Sequence, residues 1–120
     1  MEKNILVIET DALIRAEIQQ TAHEYSLDVV EAQSLADGIS RAANQKIKMV
    51  IIGEYLLDGP LRAVISRIRA VLPQSAIIIL EHSDEGIQAA EGMGVPYITP
   101  PFAGSVFQSR LSSQFMLVRR

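Results

Sequence analysis

Residues 49–52 read Met-Val-Ile-Ile, four apolar residues with no polar one alternating among them. A run of that length and composition is expected to be a strand buried on both faces, as in a parallel sheet with helices packed on either side. Ile5–Ile8 and Ala76–Leu80 repeat the pattern. Enough chain separates each run from the next for a right-handed helical crossover, so the chain is constrained to an α/β architecture of βαβ units.

The intervening residues divide into helices and two weaker strands. Residues 12–25 place Ile14, Ile18, Ala22 and Tyr25 on one stripe, with Thr10 or Asp11 able to cap the start. Residues 27–32 make a second strand, interrupted by Asp28 and therefore suited to an edge. Ser34 to Asp37 resembles a capping box with Asp in place of Glu, and opens a helix to about Asn44 with Leu35, Ile39, Ala42 and Ala43 inward. Pro60 suits a first helical turn, and Leu61, Val64, Ile65, Ile68 and Leu72 then recur at helical spacing up to Pro73. Ser83 is expected to cap a short, glycine-weakened helix through Glu91. Tyr97–Ile98 is a fifth, short strand ended by Pro100-Pro101, and residues 105–118 form a last helix with Phe107, Leu111, Phe115 and Val118 on one side. The expectation is a doubly wound, five-stranded parallel sheet in the order 2-1-3-4-5 with five helices, a three-layer sandwich.

At 120 residues this is expected to be one domain, 1–120, able to bury roughly two-thirds of its unfolded surface. A net charge of −3, from 11 basic and 14 acidic residues, gives no electrostatic basis for binding nucleic acid. Cysteine is absent, which rules out disulfides and thiolate metal sites and suits a reducing cytoplasm. No apolar run approaches the ~20 residues of a membrane helix. The apolar core near the N-terminus, Ile5–Ile8, is too short for a signal peptide. A cytoplasmic location away from membranes is expected.

In an open parallel sheet, chemistry collects beyond the carboxyl end of a central strand. Here that tip is Gly53, Glu54, Tyr55, Leu56, Leu57 and Asp58, with no Ser, Cys, His or Lys and no glycine-rich phosphate cradle. Glu9, Asp11, Glu54 and Asp58 are weak candidates for a Mg²⁺ or Ca²⁺ site. Solvated carboxylates and helix caps are the preferred reading, because Mg²⁺ sites with one or two carboxylates lean on a phosphate for the rest. His23 and His82 read as surface residues. Ser83, Ser105, Ser112 and Ser113 stand in no recognisable His–acid pattern, so nucleophilic catalysis is not expected. Without Trp, glycine-rich turns or phosphate-loop hydroxyls, a flavin or nucleotide site on the same fold is disfavoured too.

The ILVIETD opening, the stretch from Met49 to Gly59, the AIIILEHSD segment and the YITPPF ending together resemble the response-regulator receiver domain, the CheY-like phosphoacceptor module. The likeness covers essentially the whole chain. In that family an Asp at the end of strand three takes a phosphoryl group, two acids after strand one help it hold Mg²⁺, and a Ser or Thr after strand four and a Lys after strand five contact the phosphoryl oxygens. Carried over, the two acids fall on Glu9 and the uncharged Thr10. The acceptor falls on Gly53, or on Glu54 if the register shifts by one. The hydroxyl falls on Glu81, or on Leu80 in that shifted register, and the lysine falls on Pro100.

The resemblance therefore implies a degenerate receiver, a pseudo-receiver of a two-component or phosphorelay system. It is neither an enzyme nor switched by the usual phosphorylation, needs no cofactor, and works through protein–protein contact. The family's contact face would be helix four, the strand with Tyr97 and Ile98, and helix five, where Phe115, Met116 and Val118 suggest a homodimer. Tyr97 matches an aromatic that reports activation in the family, with plain packing at a sheet edge as the other reading. The alternative is a working receiver with Glu54 or Asp58 as an unusual acceptor and weak Mg²⁺ binding. A further reading makes Glu54 a built-in mimic of the phosphorylated acid, against the simpler one of an exposed loop acid. The chain is also expected to be open to extension past Arg119-Arg120 into a longer regulator.

Overall fold

A computed structural model describes residues 4–53 and 59–118. The elements run β1 Ile5–Ile8, α1 Ala12–Glu24, β2 Val29–Ala32, α2 Leu35–Ala42, β3 Met49–Gly53, α3 Leu61–Val71, β4 Ala76–Leu80, α4 Asp84–Met93, β5 Tyr97–Ile98 and α5 Gly104–Val118. All strand pairings are parallel, in the order β2-β1-β3-β4-β5, as the sequence predicts.

The three buried runs lie side by side at the centre, with Ile8 opposite Ile52 and Ile52 opposite Ile79. Side chains alternate across a sheet, so each run feeds two cores. Leu6, Ile8, Val50, Ile52, Ile77 and Ile79 meet Leu35, Leu61, Val64, Ile65, Ile68 and Ala90 from α2, α3 and α4. Ile5, Val7, Met49, Ile51, Ile78 and Leu80 meet Ile18 and Ala22 of α1 and Phe107, Leu111 and Phe115 of α5. Both faces are covered, which is why the central strands show no polar alternation.

Several boundaries differ from expectation. The second strand begins at Val29 rather than Leu27, because Asp28 is held by β1's neighbour instead: its N–H donates to Asn4 Oδ1 and its carbonyl accepts from Asn4 and Ile5. α2 stops at Ala42, which leaves Ala43 exposed rather than inward. Ser34 does cap it, accepting from the Asp37 N–H at 3.1 Å, while the Asp37 carboxylate turns to Arg41 at 2.9 Å. Pro60 precedes α3 as its cap, its carbonyl accepting from Ala63 and Val64. α4 runs two residues past Glu91 to Met93. The Pro100–Pro101 bond is cis.

Candidate functional site

β1, β3 and β4 end side by side, and the residues at their carboxyl ends are Glu9, Gly53 and Glu81. Glu9 continues the row of Ile5 and Val7 toward the α1–α5 face, with its N–H on the Ala32 carbonyl at 3.0 Å. Its side chain is buried, 7% exposed, which corrects the expectation of a solvated carboxylate. Oε2 accepts from the Asp11 N–H at 3.0 Å and the Thr10 hydroxyl at 3.4 Å. The carboxylate lies over Gly53, where a Cβ would overlap Oε1. Arg15 closes the loop from outside, donating through one terminal nitrogen to the carbonyls of Glu9 (2.8 Å) and Thr10 (2.9 Å) and pairing through Nε with Glu31 at 3.3 Å. Asp11 is the exposed cap of α1, accepting from Leu13 at 2.8 Å and Ile14 at 3.3 Å.

Glu81 is the other buried carboxylate, 4% exposed. Its N–H extends the β5 ladder to the Ile98 carbonyl, and it continues the row of Ile77 and Ile79 toward α4. Oε1 accepts from the N–H groups of His82 and Ser83, each at 2.9 Å, and from the Ser83 hydroxyl at 3.0 Å. Ser83 Oγ accepts in turn from the Gly86 N–H at 3.0 Å, as the cap of α4. Acid, imidazole and hydroxyl therefore do meet at residues 81–83. The Ser83 hydroxyl donates to the carboxylate and caps α4.

Glu9 and Glu81 sit in rows that face opposite sides of the sheet, one against Gly53 and the other against Gly86. They do not converge on one pocket. Thr10 and Pro100 are exposed. Glu54 and Asp58 lie outside the described residues. Among those described, no three His, Cys, Asp or Glu side chains are grouped to hold a metal ion. Near β1, Glu9 Oε2 accepts two bonds from its own loop, Asp11 Oδ1 caps α1, and Thr10 carries no charge.

Of the anticipated contact face, Tyr97 is half-buried against the α2–α4 core and its hydroxyl donates to Glu91 Oε2 at 2.9 Å. Accepting that bond, Glu91 holds the Tyr97 pKa above the usual phenol value, with desolvation and the carboxylate's charge acting the same way. Glu91→Gln is expected to bring the Tyr97 midpoint back down, read from its ring resonances in an NMR titration. Ile98 is only 3% exposed and packs among the α1–α5 core, so it is not a surface residue, because β5 sends alternate side chains to opposite faces. Phe115 is likewise fully buried, whereas Val106, Met116 and Leu117 are exposed. Arg110 fastens α5 to the sheet by donating to the Thr99 carbonyl at 3.1 Å and hydroxyl at 2.9 Å. Sequence reasoning missed Arg15, Gly86 and Glu91. Only Glu91 had a readable cue, an acid six residues before an edge tyrosine.

No protein-family model matches the chain. The chain is 27% identical over 110 residues, 90% of its length, to the KDP operon transcriptional regulatory protein KdpE of Escherichia coli K12, and the match spans about half of that relative, 49%. Among solved structures it superposes on a CheY-like response-regulator receiver domain from Methanospirillum hungatei with a TM-score of 0.74 at 17% identity, covering 98% of this chain and 96% of that one. The fold is that of a response-regulator receiver domain. The receiver domain of AraT from Geobacillus stearothermophilus gives 0.75 at 21% identity, with 99% and 94% covered. Vibrio cholerae CheY4 gives 0.75 at 16%, with 98% and 99% covered. Among the described residues of this receiver fold, no helix is long and apolar enough to cross a membrane.

Proposed function

We propose that this chain is a receiver domain of a two-component signalling system that takes no phosphoryl group at the tip of β3 and works by protein–protein contact in the cytoplasm. The observation that carries the reading is Gly53: it is the last residue of β3, paired with Leu80, and its missing side chain leaves the space that the buried Glu9 carboxylate fills. This supports the register in which the acceptor position falls on a glycine. A glycine has no oxygen to esterify. The hydroxyl position holds Glu81, which is occupied with its own loop, and Pro100 offers no ammonium to meet phosphoryl charge. With neither acceptor nor counter-charge, the domain is a contact module and not an enzyme. The contact face proposed is α4, Tyr97 of β5, and the outer side of α5 with Met116 and Leu117. A second copy of the chain, paired through that face, is one partner it would suit.

The test is incubation with radiolabelled acetyl phosphate and Mg²⁺, with beryllofluoride added in a parallel NMR titration. No label and unmoved amide signals at the ends of β1, β3 and β4 are expected. Label mapped to residues 53–58 would overturn the reading in favour of Glu54 or Asp58 as acceptor.

A further inference from the structure

α4 is held differently from the other helices. Among its residues only Ala90 is fully buried, with Met93 packed in part against the same core. Asp84 and Glu85, which open its first turn, are exposed. What reaches that turn is the Glu81 carboxylate. A buried carboxylate is costly unless hydrogen bonds satisfy it, and helix N-termini favour negative charge. Glu81 meets both conditions through two backbone N–H groups and the Ser83 hydroxyl, which in turn bonds the Gly86 N–H. Gly86 is a poor helix former. Even so, a Cβ there would overlap Glu81 Oε2 and Cδ. At the other end, the Tyr97 hydroxyl fastens Glu91.

We propose that Glu81 is a positioning residue: its carboxylate locks the β4–α4 connection and the first turn of α4 in one arrangement, and Gly86 is glycine because the lock needs the space. The position of α4 is then set by a group built into the chain. This deepens the reading of α4 as part of a contact face and rests on that reading for its consequence. The lock itself stands on the geometry of residues 81–86.

The test is a cycle of four proteins: wild type, Glu81→Ala, Gly86→Ala and the double variant. In the wild-type background Gly86→Ala must push the carboxylate out of its bonds, and Tm should fall by about 5 °C or more. In the Glu81→Ala background the space is free and alanine is the better helix former. The same change should then raise Tm by ~2–4 °C. Amide exchange at His82 and Ser83 should quicken about tenfold or more in Glu81→Ala while Ile51 and Ile79 keep their protection. Glu81→Gln, which retains an accepting oxygen, should keep most of the protection. If Glu81→Ala does not fold, Glu81→Ser supplies the background. An effect of Gly86→Ala with the same sign in both backgrounds, or unchanged exchange at 82 and 83, would overturn the lock. Neither result bears on phosphate uptake, and label on residues 53–58 would leave the lock standing.

Discussion

Gly53→Asp, which puts an acid at the end of β3 where the proposed reading places the acceptor position, is expected to cost about 2–4 kcal/mol of stability and to give no phosphate uptake. A side chain in a strand normally serves better than glycine, even at its last residue, so a neutral or stabilising result would be the ordinary expectation. Here the Cβ enters the space held by Glu9. The Glu9 carboxylate sits on a flexible stem and can swing away, but it then gives up the Asp11 N–H and the Thr10 hydroxyl. Loss of a hydrogen bond to a charged group is worth about 1.5–3 kcal/mol. The new carboxylate adds like-charge repulsion beside a buried acid, which raises the total. Urea unfolding checks this: the midpoint should fall with little change in slope. Glu9→Ala combined with Gly53→Asp should recover part of the loss. A Gly53→Asp protein as stable as wild type, or one labelled at residue 53 by acetyl phosphate, would mean that the Glu9–Gly53 contact is incidental.

Phe107→Ala should be the most damaging single truncation on α5, at about 3–5 kcal/mol. Phe107 is fully buried, packs edge-on to Phe102 with ring centroids 5.8 Å apart, and lies against the strands that carry Ile5, Val7 and Ile51. Removing the ring leaves a cavity between α5 and the sheet that close-packed neighbours fill only in part. Met116→Ala on the same helix should stay within about 0.5 kcal/mol, since Met116 is 60% exposed. Thermal or chemical unfolding of the two variants separates the core side of α5 from the side proposed for contact. A large loss at Met116, or a small one at Phe107, would mean that the helix is rotated from its described position.

The elements were legible because the signals behind them are local. Ile5–Ile8 and Ala76–Leu80 are uninterrupted apolar runs, and the Leu61, Val64, Ile65, Ile68 spacing is helical on its face. Errors gathered where a boundary depends on a distant partner. Leu27 looked like strand, but Asp28 is taken by Asn4, 24 residues away in the chain. Ile98 looked like surface because an edge strand of two residues carries no pattern, and only packing against α1 and α5 shows it to be core. Glu9 looked solvated because carboxylates almost always are.

The hydrophobic runs and the crossovers between them by themselves determined an α/β domain of five strands and five helices, because period is a property of neighbouring residues. The order 2-1-3-4-5 was an expectation that the pairing of β1 with both β2 and β3 bears out. The sequence also placed Gly53 at the end of a central apolar run, Thr10 just past the first strand and Pro100 just past the last. Tertiary structure alone decided where the two buried carboxylates go. Each is held by its own loop's N–H groups over a glycine, Gly53 for one and Gly86 for the other. For the Glu9–Gly53 pair, no sequence pattern spans the 44 residues between strands that meet only in the folded sheet.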